Sequence, residues 1–526
     1  MEIQTFKEII RMLPFSDFDN LEEDKKSKWF ETAEKALKKI PIGNILIRAN
    51  PGDGKTAMAI LTSFGFGKTL FATTSWELTM QHKDLYRKIT GTEEGAFIMK
   101  NKIPAPKRVW NKDAKITFST TGILVNDLET GKLDLSDYDL LVNDECDLAL
   151  GNHVAARLAR AAKAKKIPML CLTATLGSKK TKETIMRNCG IYDIIEPGIP
   201  QRPRHEYPID VEMTPVLAEI DGLFVDLMQK DFDYLRTFVK ALKKREGILC
   251  SQDEMNAIAA AIEICFGGNT ADGSRHPEYF DAISNFAYYR KLRTAHRKCL
   301  VNSYDVFREY AETLKIGGDK ILAKIEGVNY SKAADRIIHD PRFKKIEELV
   351  EKDLGNHPKF NKFEEHIGSP YLRDFKRIVF VDEVETARFF ESYFAGKYGL
   401  KTASYVSVHT AEEKRLREQL RIRINAGELD VVFGTSALER GIDAKVDEVD
   451  HYTIAMERRA REQKSGRAGR FSEGYVYHFC LKHPLDKTFF WATSAPKTKE
   501  KKQKRRNPYF FENKSCQTTL EFPYEP

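Results

Sequence analysis

Residues 45–60 read ILIRANPGDGKTAMAI, and this stretch limits the fold more than any other in the chain. Its apolar run, Ile45-Leu46-Ile47, is short enough for a buried strand. The turn Pro51-Gly52-Asp53-Gly54 follows, and Lys55 and Thr56 then open an apolar helix. Backbone N–H groups of such a turn, backed by the positive end of a helix, cradle a polyphosphate; Gly52, Asp53 and Gly54 supply that backbone. Lys55 adds a point charge, and Thr56 a hydroxyl for Mg²⁺. Ala49 stands where the pattern GxxxxGK[ST] has its first glycine. Taken alone, the stretch also reads as an ordinary strand-turn-helix corner.

Short apolar runs alternate with amphipathic stretches downstream, at residues 69–72, 116–118, 140–142 and 169–172. Such alternation predicts an α/β fold in which a parallel sheet is covered by helices on both faces, with ligands at the carboxyl ends of the strands. The run LLVNDECD, residues 140–147, delivers Asp144 and Glu145 to one such end. One carboxylate suits holding Mg²⁺, usually through water, and the second suits orienting and deprotonating a water. An isolated acidic pair also caps helices. The phosphate loop upstream favours the chemical reading. Residues 172–176, LTATL, end another strand in Thr173 and Thr175, which alone read equally as surface threonines. TTSWELTMQ (73–81) and STTGIL (119–124) place Thr74, Ser75, Thr120, Thr121 and Gly122 at two further strand ends. Those groups suit the phosphates of a nucleic-acid backbone.

A chain of 526 residues exceeds the roughly 250–300 at which one core stops growing, so several domains are expected. Four prolines between Pro197 and Pro208 mark a boundary. From about 210 to 370 the texture changes to long helical stripes, such as Leu217, Ile220, Phe224, Leu227, with a glycine-rich loop at 267–273. Alternation resumes at RIVFV (377–381) and DVVFGT (430–435), with the apolar run Tyr452–Ile454 after it. The predicted architecture is two α/β parallel-sheet domains, residues 1–200 and 371–494, with an all-helical domain, 201–370, inserted between them. A basic tail, 495–526, is expected to be disordered.

Lys and Arg outnumber Asp and Glu by 85 to 77, an excess that permits a polyanionic partner without demanding one. Eight cysteines stand singly, with no CxxC pair, so neither a structural zinc nor an iron–sulfur cluster is expected. With no apolar stretch of ~18 residues and no cleavable signal pattern, the expected location is cytoplasmic.

The segment EQKSGRAGR (462–470) puts Arg467 and Arg470 on one helical face of the second domain. An arginine finger there neutralises charge on a transferred phosphoryl group and is worth on the order of 10³–10⁵ in rate. Standing on a separate domain, it makes hydrolysis depend on closure of a cleft. A solvated basic loop is the alternative for the segment in isolation.

Six segments stand in the order seen in superfamily 2 helicases. ANPGDGKT is similar to motif I, TTSWELTMQ to motif Ia, DECD to the DEAD/DEAH box and TAT to the SAT motif. TSALERGID (435–443) resembles motif V, and QKSGRAGR resembles motif VI. Between the two domains, DPRFKK (340–345) and HPK (357–359) are similar to the segment that ends the helical insertion of the archaeal Hef and eukaryotic FANCM helicases. That branch is related to Dicer and the RIG-I-like proteins. The resemblance implies ATP and Mg²⁺ as cofactors, and ATP-driven translocation on forked, branched or single-stranded DNA in replication or repair. No nuclease signature of the ERKxxxD type stands in the chain, so a helicase without a nuclease is expected.

Residue by residue, the resemblance assigns phosphates and Mg²⁺ to Lys55 and Thr56, Mg²⁺ to Asp144 and the general base to Glu145. It assigns the γ-phosphate to Arg467 and Arg470, with Gln463 beside them. Gly441 and Asp443 would couple nucleotide to the bound strand, Thr435 and Ser436 would contact nucleic acid, and Thr173 and Thr175 would couple the two. Two departures stand out: Asp147 replaces the histidine of DEAH, and Lys464 stands where motif VI has its first arginine. Near the end, QTTLEFPY (517–524) is partly similar to a sliding-clamp-binding peptide, with Gln517, Leu520 and Tyr524 in place and Pro523 where an aromatic is expected. An RNA-directed enzyme of the RIG-I/Dicer branch and a nucleic-acid-binding scaffold with an inactive nucleotide site are the alternatives.

Overall fold

A computed structural model describes residues 8, 12–15, 23–99, 103–199, 203–246, 278–369, 374–408, 410–439, 446–453, 464–468, 473–483 and 485–486. The glycine-rich stretch 267–273, Gly441, Asp443, Gln463, Arg470 and the tail with its QTTLEFPY peptide lie outside the described residues.

The first half of the chain runs α1 (Glu23–Lys39), β1 (Asn44–Arg48), α2 (Lys55–Ser63), β2 (Thr69–Thr73), α3 (Trp76–Thr90), β3 (Ala96–Ile98), β4 (Ile116–Thr120) and α4 (Thr121–Glu129). It continues through β5 (Leu140–Asn143), α5 (Val154–Ala164), β6 (Met169–Thr173), α6 (Lys179–Cys189) and β7 (Ile191–Ile195). These strands form one sheet in the order β3-β4-β2-β5-β6-β1-β7, parallel at every pairing. Strands β2 and β6 are buried along their whole length, as expected where helices cover both faces, and so read as nearly continuous apolar runs. Because all strands point one way, the loops after β1, β2, β4, β5 and β6 open on a single edge.

The chain then leaves the first sheet. Strand β8 (Arg204–Val211) precedes the helices α7 (Pro215–Glu246), α8 (Glu278–Arg297), α9 (Tyr304–Gly318), α10 (Lys320–Ile325), α11 (Lys332–His339) and α12 (Pro341–Lys352). Their core is Leu217, Phe224, Leu292, Phe307, Ile337 and Phe343. The second sheet follows with α13 (Pro358–Ile367), β9 (Arg377–Phe380), α14 (Val384–Tyr398), β10 (Thr402–Tyr405), α15 (Ala411–Asn425), β11 (Val431–Gly434), β12 (Glu448–His451) and β13 (Gly474–Leu481). Its order is β10-β11-β9-β12-β13-β8, again parallel throughout. Both sheets are RecA-like, and the helical block stands between them in sequence.

Two expectations need correction. Strand β8 falls inside the stretch read as all-helical, yet it pairs with β13 along eight residues, Arg204↔Gly474 to Val211↔Leu481. Its Pro208 and its exposed residues hid it. An edge strand tolerates both, since one row of its N–H groups has no ladder to serve. Strand β12 ends where the apolar run Tyr452–Ile454 begins, and it carries Glu448, Asp450 and His451 wholly buried. Polar side chains survive there because His366, on the last turn of α13, lies 2.9 Å from Glu448 Oε1 and 3.5 Å from Asp450 Oδ1. Arg377 Nε stands 3.6 Å from Glu448.

The DPR and HPK residues prove to be joints. Asp340 accepts a hydrogen bond from the Arg342 N–H at the start of α12, and Arg342 Nη1 donates to the Asp226 carbonyl on α7. His357 accepts from Phe360 N at Nδ1 (3.2 Å) and donates from Nε2 to the Cys299 carbonyl (3.0 Å). Lys359, fully buried, pairs with Asp486 at 2.5 Å. Further ion pairs, Arg297 with Asp382 and Lys298 with Glu383, fasten the helical block to the second domain.

Candidate nucleotide site

The loop between β1 and α2 is shaped by contacts within the protein. Asn50 N donates to Asp53 Oδ2 at 2.8 Å, closing the turn. Gly52 and Gly54 have φ of 85° and 84°, the left-handed region that favours glycine. At Gly54 a side chain is excluded twice over, since a Cβ would lie 2.3 Å from the Trp29 ring. That indole, from α1, donates its N–H to the Asp53 carbonyl at 2.7 Å. No side chain caps α2, and no acidic residue stands in its first turn, so its leading N–H groups suit an anion. Lys55 Nζ donates to the carbonyls of Ala49 (2.8 Å) and Asn50 (2.9 Å), which parks the amine over the loop. Thr56 is half-buried in the same turn. The donor set fits a polyphosphate.

Two strands away, Asp144 leaves the end of β5 almost wholly buried. Its backbone N–H donates to the Ala72 carbonyl, and its Oδ2 stands 2.7 Å from His82 Nε2. Glu145 adopts φ 53°, ψ 46°, a left-handed conformation that non-glycine residues hold only with outside support. Its Oε2 accepts a hydrogen bond from Thr74 Oγ1 at 2.9 Å. Between these strands, β6 ends in Thr173, whose carbonyl accepts from Ala49 N at 3.2 Å. Thr173 Oγ1 in turn donates to the Thr175 carbonyl. The structure thus brings Lys55, Thr56, Asp144, Glu145, Thr173 and Thr175 to one edge of one sheet.

Hydroxyls read as phosphate contacts are largely engaged within the protein. Besides Thr74, Ser75 caps α3 by accepting from Leu78 N, and Thr121 donates to the Thr73 carbonyl. Thr120 and the exposed Gly122 flank the start of α4, which has no side-chain cap. On the second sheet, Thr435 follows β11 with its hydroxyl buried and without a protein partner among the described residues. Ser436 opens the short helical turn after it. From motif VI, Arg467 is described and is 6% exposed; Lys464 lies over the Phe380 ring, and Ser465 Oγ stands 3.0 Å from His451 Nε2. Arg417 of α15 donates to Glu77 of α3 at 2.6 Å, a bond between the two motor domains at this side.

Residues 31–184 match the profile of the DEAD/DEAH box helicases, and residues 358–472 match the helicase conserved C-terminal domain. The chain is 24% identical to the helicase domain of Pyrococcus furiosus Hef, with a TM-score of 0.59 over 88% of this chain and 97% of that one. The chain carries both domains of a DEAD/DEAH box helicase and is similar to helicases of the Hef and FANCM branch. A putative ATP-dependent RNA helicase of Methanocaldococcus jannaschii is 26% identical over 92% of this chain and 61% of its own length. The ATP-dependent DNA helicase mph1 of Neurospora crassa is 23% identical over 84% and 40%. The chain therefore spans less than two thirds of those relatives.

Within that family frame, sequence reasoning missed two side chains at the site. Trp29 closes the phosphate loop from α1, and its place there follows from Gly54 having no side chain. His82 had a readable signal: with Ser75 as cap, Thr79, His82, Tyr86 and Ile89 recur at helical spacing and form the buried face of α3. In the helical block, a cleft of about 770 Å³ is lined by Asp305, Glu309, Glu312, Glu347, Glu348 and Glu351 against Arg308, Lys315 and Lys344. That charge balance disfavours phosphate there. Among the described residues no helix is long and apolar enough to cross a membrane.

Proposed function

We propose that the chain is an ATP-dependent DNA helicase or translocase acting on forked or branched DNA. The observation that carries this reading is the convergence of Lys55, Asp144 and Glu145 on the carboxyl edge of one sheet, beside the Thr120–Gly122 segment. ATP, when bound, supplies the transferable phosphoryl group, and Mg²⁺ the charge that steadies its oxygens. Gly52, Asp53, Gly54, Lys55 and Thr56 would hold the phosphates, with Asp144 and Thr56 toward the metal. Glu145 orients a water and takes its proton. Arg467, Arg470 and Gln463, the motif VI residues, would complete the site from the second domain, and Gly441 and Asp443 would couple it to the bound strand. The relatives named as DNA helicases support DNA as substrate.

The name of the Methanocaldococcus relative favours a second reading, an RNA-directed enzyme. Motor motifs grip phosphates and do not report the sugar. Stimulation of ATP hydrolysis by forked DNA, single-stranded DNA and double-stranded RNA, measured in parallel, separates the two. Our reading expects the forked DNA to stimulate most; preferential stimulation by RNA overturns it. Binding should also weaken with salt at a log–log slope of about −0.7 per phosphate neutralised on single strands.

A further inference from the structure

We propose that Thr74 is a positioning residue that latches Glu145 until nucleic acid claims its hydroxyl, so that strand binding releases the base for hydrolysis. The inference rests on Glu145 being the base, and it adds what holds that base.

Thr74 follows the last residue of β2, a strand flanked by β5 on one side and β4 on the other. Toward β5, the register pairs Ala72 with Asn143. The loops carrying Thr74 and Glu145 are therefore neighbours, and the hydroxyl donates to Oε2 at 2.9 Å. Toward β4, Thr73 pairs with Thr120, and Thr121 donates to the Thr73 carbonyl. Thr74 thus stands between the proposed base and a segment whose helix N-terminus faces the same edge. Both Thr74 and Glu145 are half-buried, within reach of a ligand.

A carboxylate that accepts a hydrogen bond from a hydroxyl is a weaker base toward water, and its orientation is fixed by that partner. Glu145 is also held at φ 53°, so its present place is a supported conformation that can relax when a support leaves. A threonine hydroxyl donates only one proton. If Thr74 donates it to a backbone phosphate, it cannot also donate it to Glu145. The nucleic-acid contact and the latch therefore exclude one another, which links strand binding to the base through one side chain.

The test is steady-state ATP hydrolysis by the full chain, wild type, Thr74→Val and Thr74→Ser, with and without forked DNA. Valine keeps the shape and removes the proton, whereas serine keeps the proton. Losing one hydrogen bond of ordinary strength corresponds to about three- to ten-fold in rate. Thr74→Val is expected to raise the DNA-free kcat by about that factor and to shrink the ratio of stimulated to unstimulated rate, with KM for ATP unchanged and Thr74→Ser matching wild type. An unchanged DNA-free rate in Thr74→Val, with stimulation intact or with only more DNA needed for half-stimulation, overturns the latch alone. No hydrolysis by wild type under any condition overturns both the latch and the assignment of the base.

Discussion

His82 Nε2 lies 2.7 Å from Asp144 Oδ2, and both side chains are more than nine-tenths buried. The pair joins the middle of α3 to the end of β5. It connects the helix that begins at the candidate nucleic-acid edge to the carboxylate proposed to face Mg²⁺. The ring also sits edge-on to Phe71 at 5.1 Å, which limits its rotation.

A residue that orients a metal-facing carboxylate is worth about 10–100-fold when removed. His82→Leu should therefore raise the Mg²⁺ concentration for half-maximal hydrolysis and lower the rate by about that factor. A purely structural role for His82 would lower thermal stability and leave the Mg²⁺ dependence in place. A Mg²⁺ titration of hydrolysis alongside a melting curve separates the two.

Acid should loosen the joint at His357. Burial, helped by the Lys359 charge, pulls the imidazole down from 6.5 to about 3, and Nδ1, which accepts from Phe360 N, cannot take a proton without freeing the start of α13. The unfolded chain binds that proton below about 6.5 and the folded one does not. Stability is thus full above 6.5 and falls as pH drops toward 3, by an amount on the order of a few kcal/mol. Melting temperatures between pH 7 and 4.5 check this, and His357→Asn should flatten the fall.

Alkali should act on the opposite cluster. Burial works against the charged form of His366, but Asp450 and Glu448 outweigh it and push the imidazole up from 6.5 to about 10. A folded value above the unfolded one means a contribution fully present below about 6.5, declining above it and lost as pH passes 10. His366→Gln should lower the melting temperature at pH 7 and make the second domain insensitive to pH between 7 and 10, as read by circular dichroism.

Legibility followed physical cause. The phosphate loop and strands β1, β2, β4, β5 and β6 were readable because strands buried on both faces must be apolar and because Gly54 has no substitute against Trp29, whereas the edge strands β3 and β7 are only partly buried and went unread. Strand β12 was hidden because its buried side chains are charged, compensated by His366 and Arg377 from elsewhere in the chain. Cys146, Cys171 and Cys189 are 18 to 43 positions apart in sequence, yet their thiols meet in the core of the first domain. Spacing carries no sign of that. Thr74 was read as a phosphate contact from its chemistry; only the register of β2 on β5 places it against Glu145. Arg467 was read as reaching the cleft, and its burial is described, while Arg470 lies outside the described residues.

The central claim, that Glu145 is the base of a nucleic-acid-dependent ATP hydrolase, is tested most directly by Glu145→Gln assayed for both nucleotide binding and forked-DNA-stimulated hydrolysis. The account predicts ATP bound as by wild type and hydrolysis lower by about 10²–10⁴-fold. Hydrolysis within two-fold of wild type, roughly 0.4 kcal/mol in barrier, would contradict it.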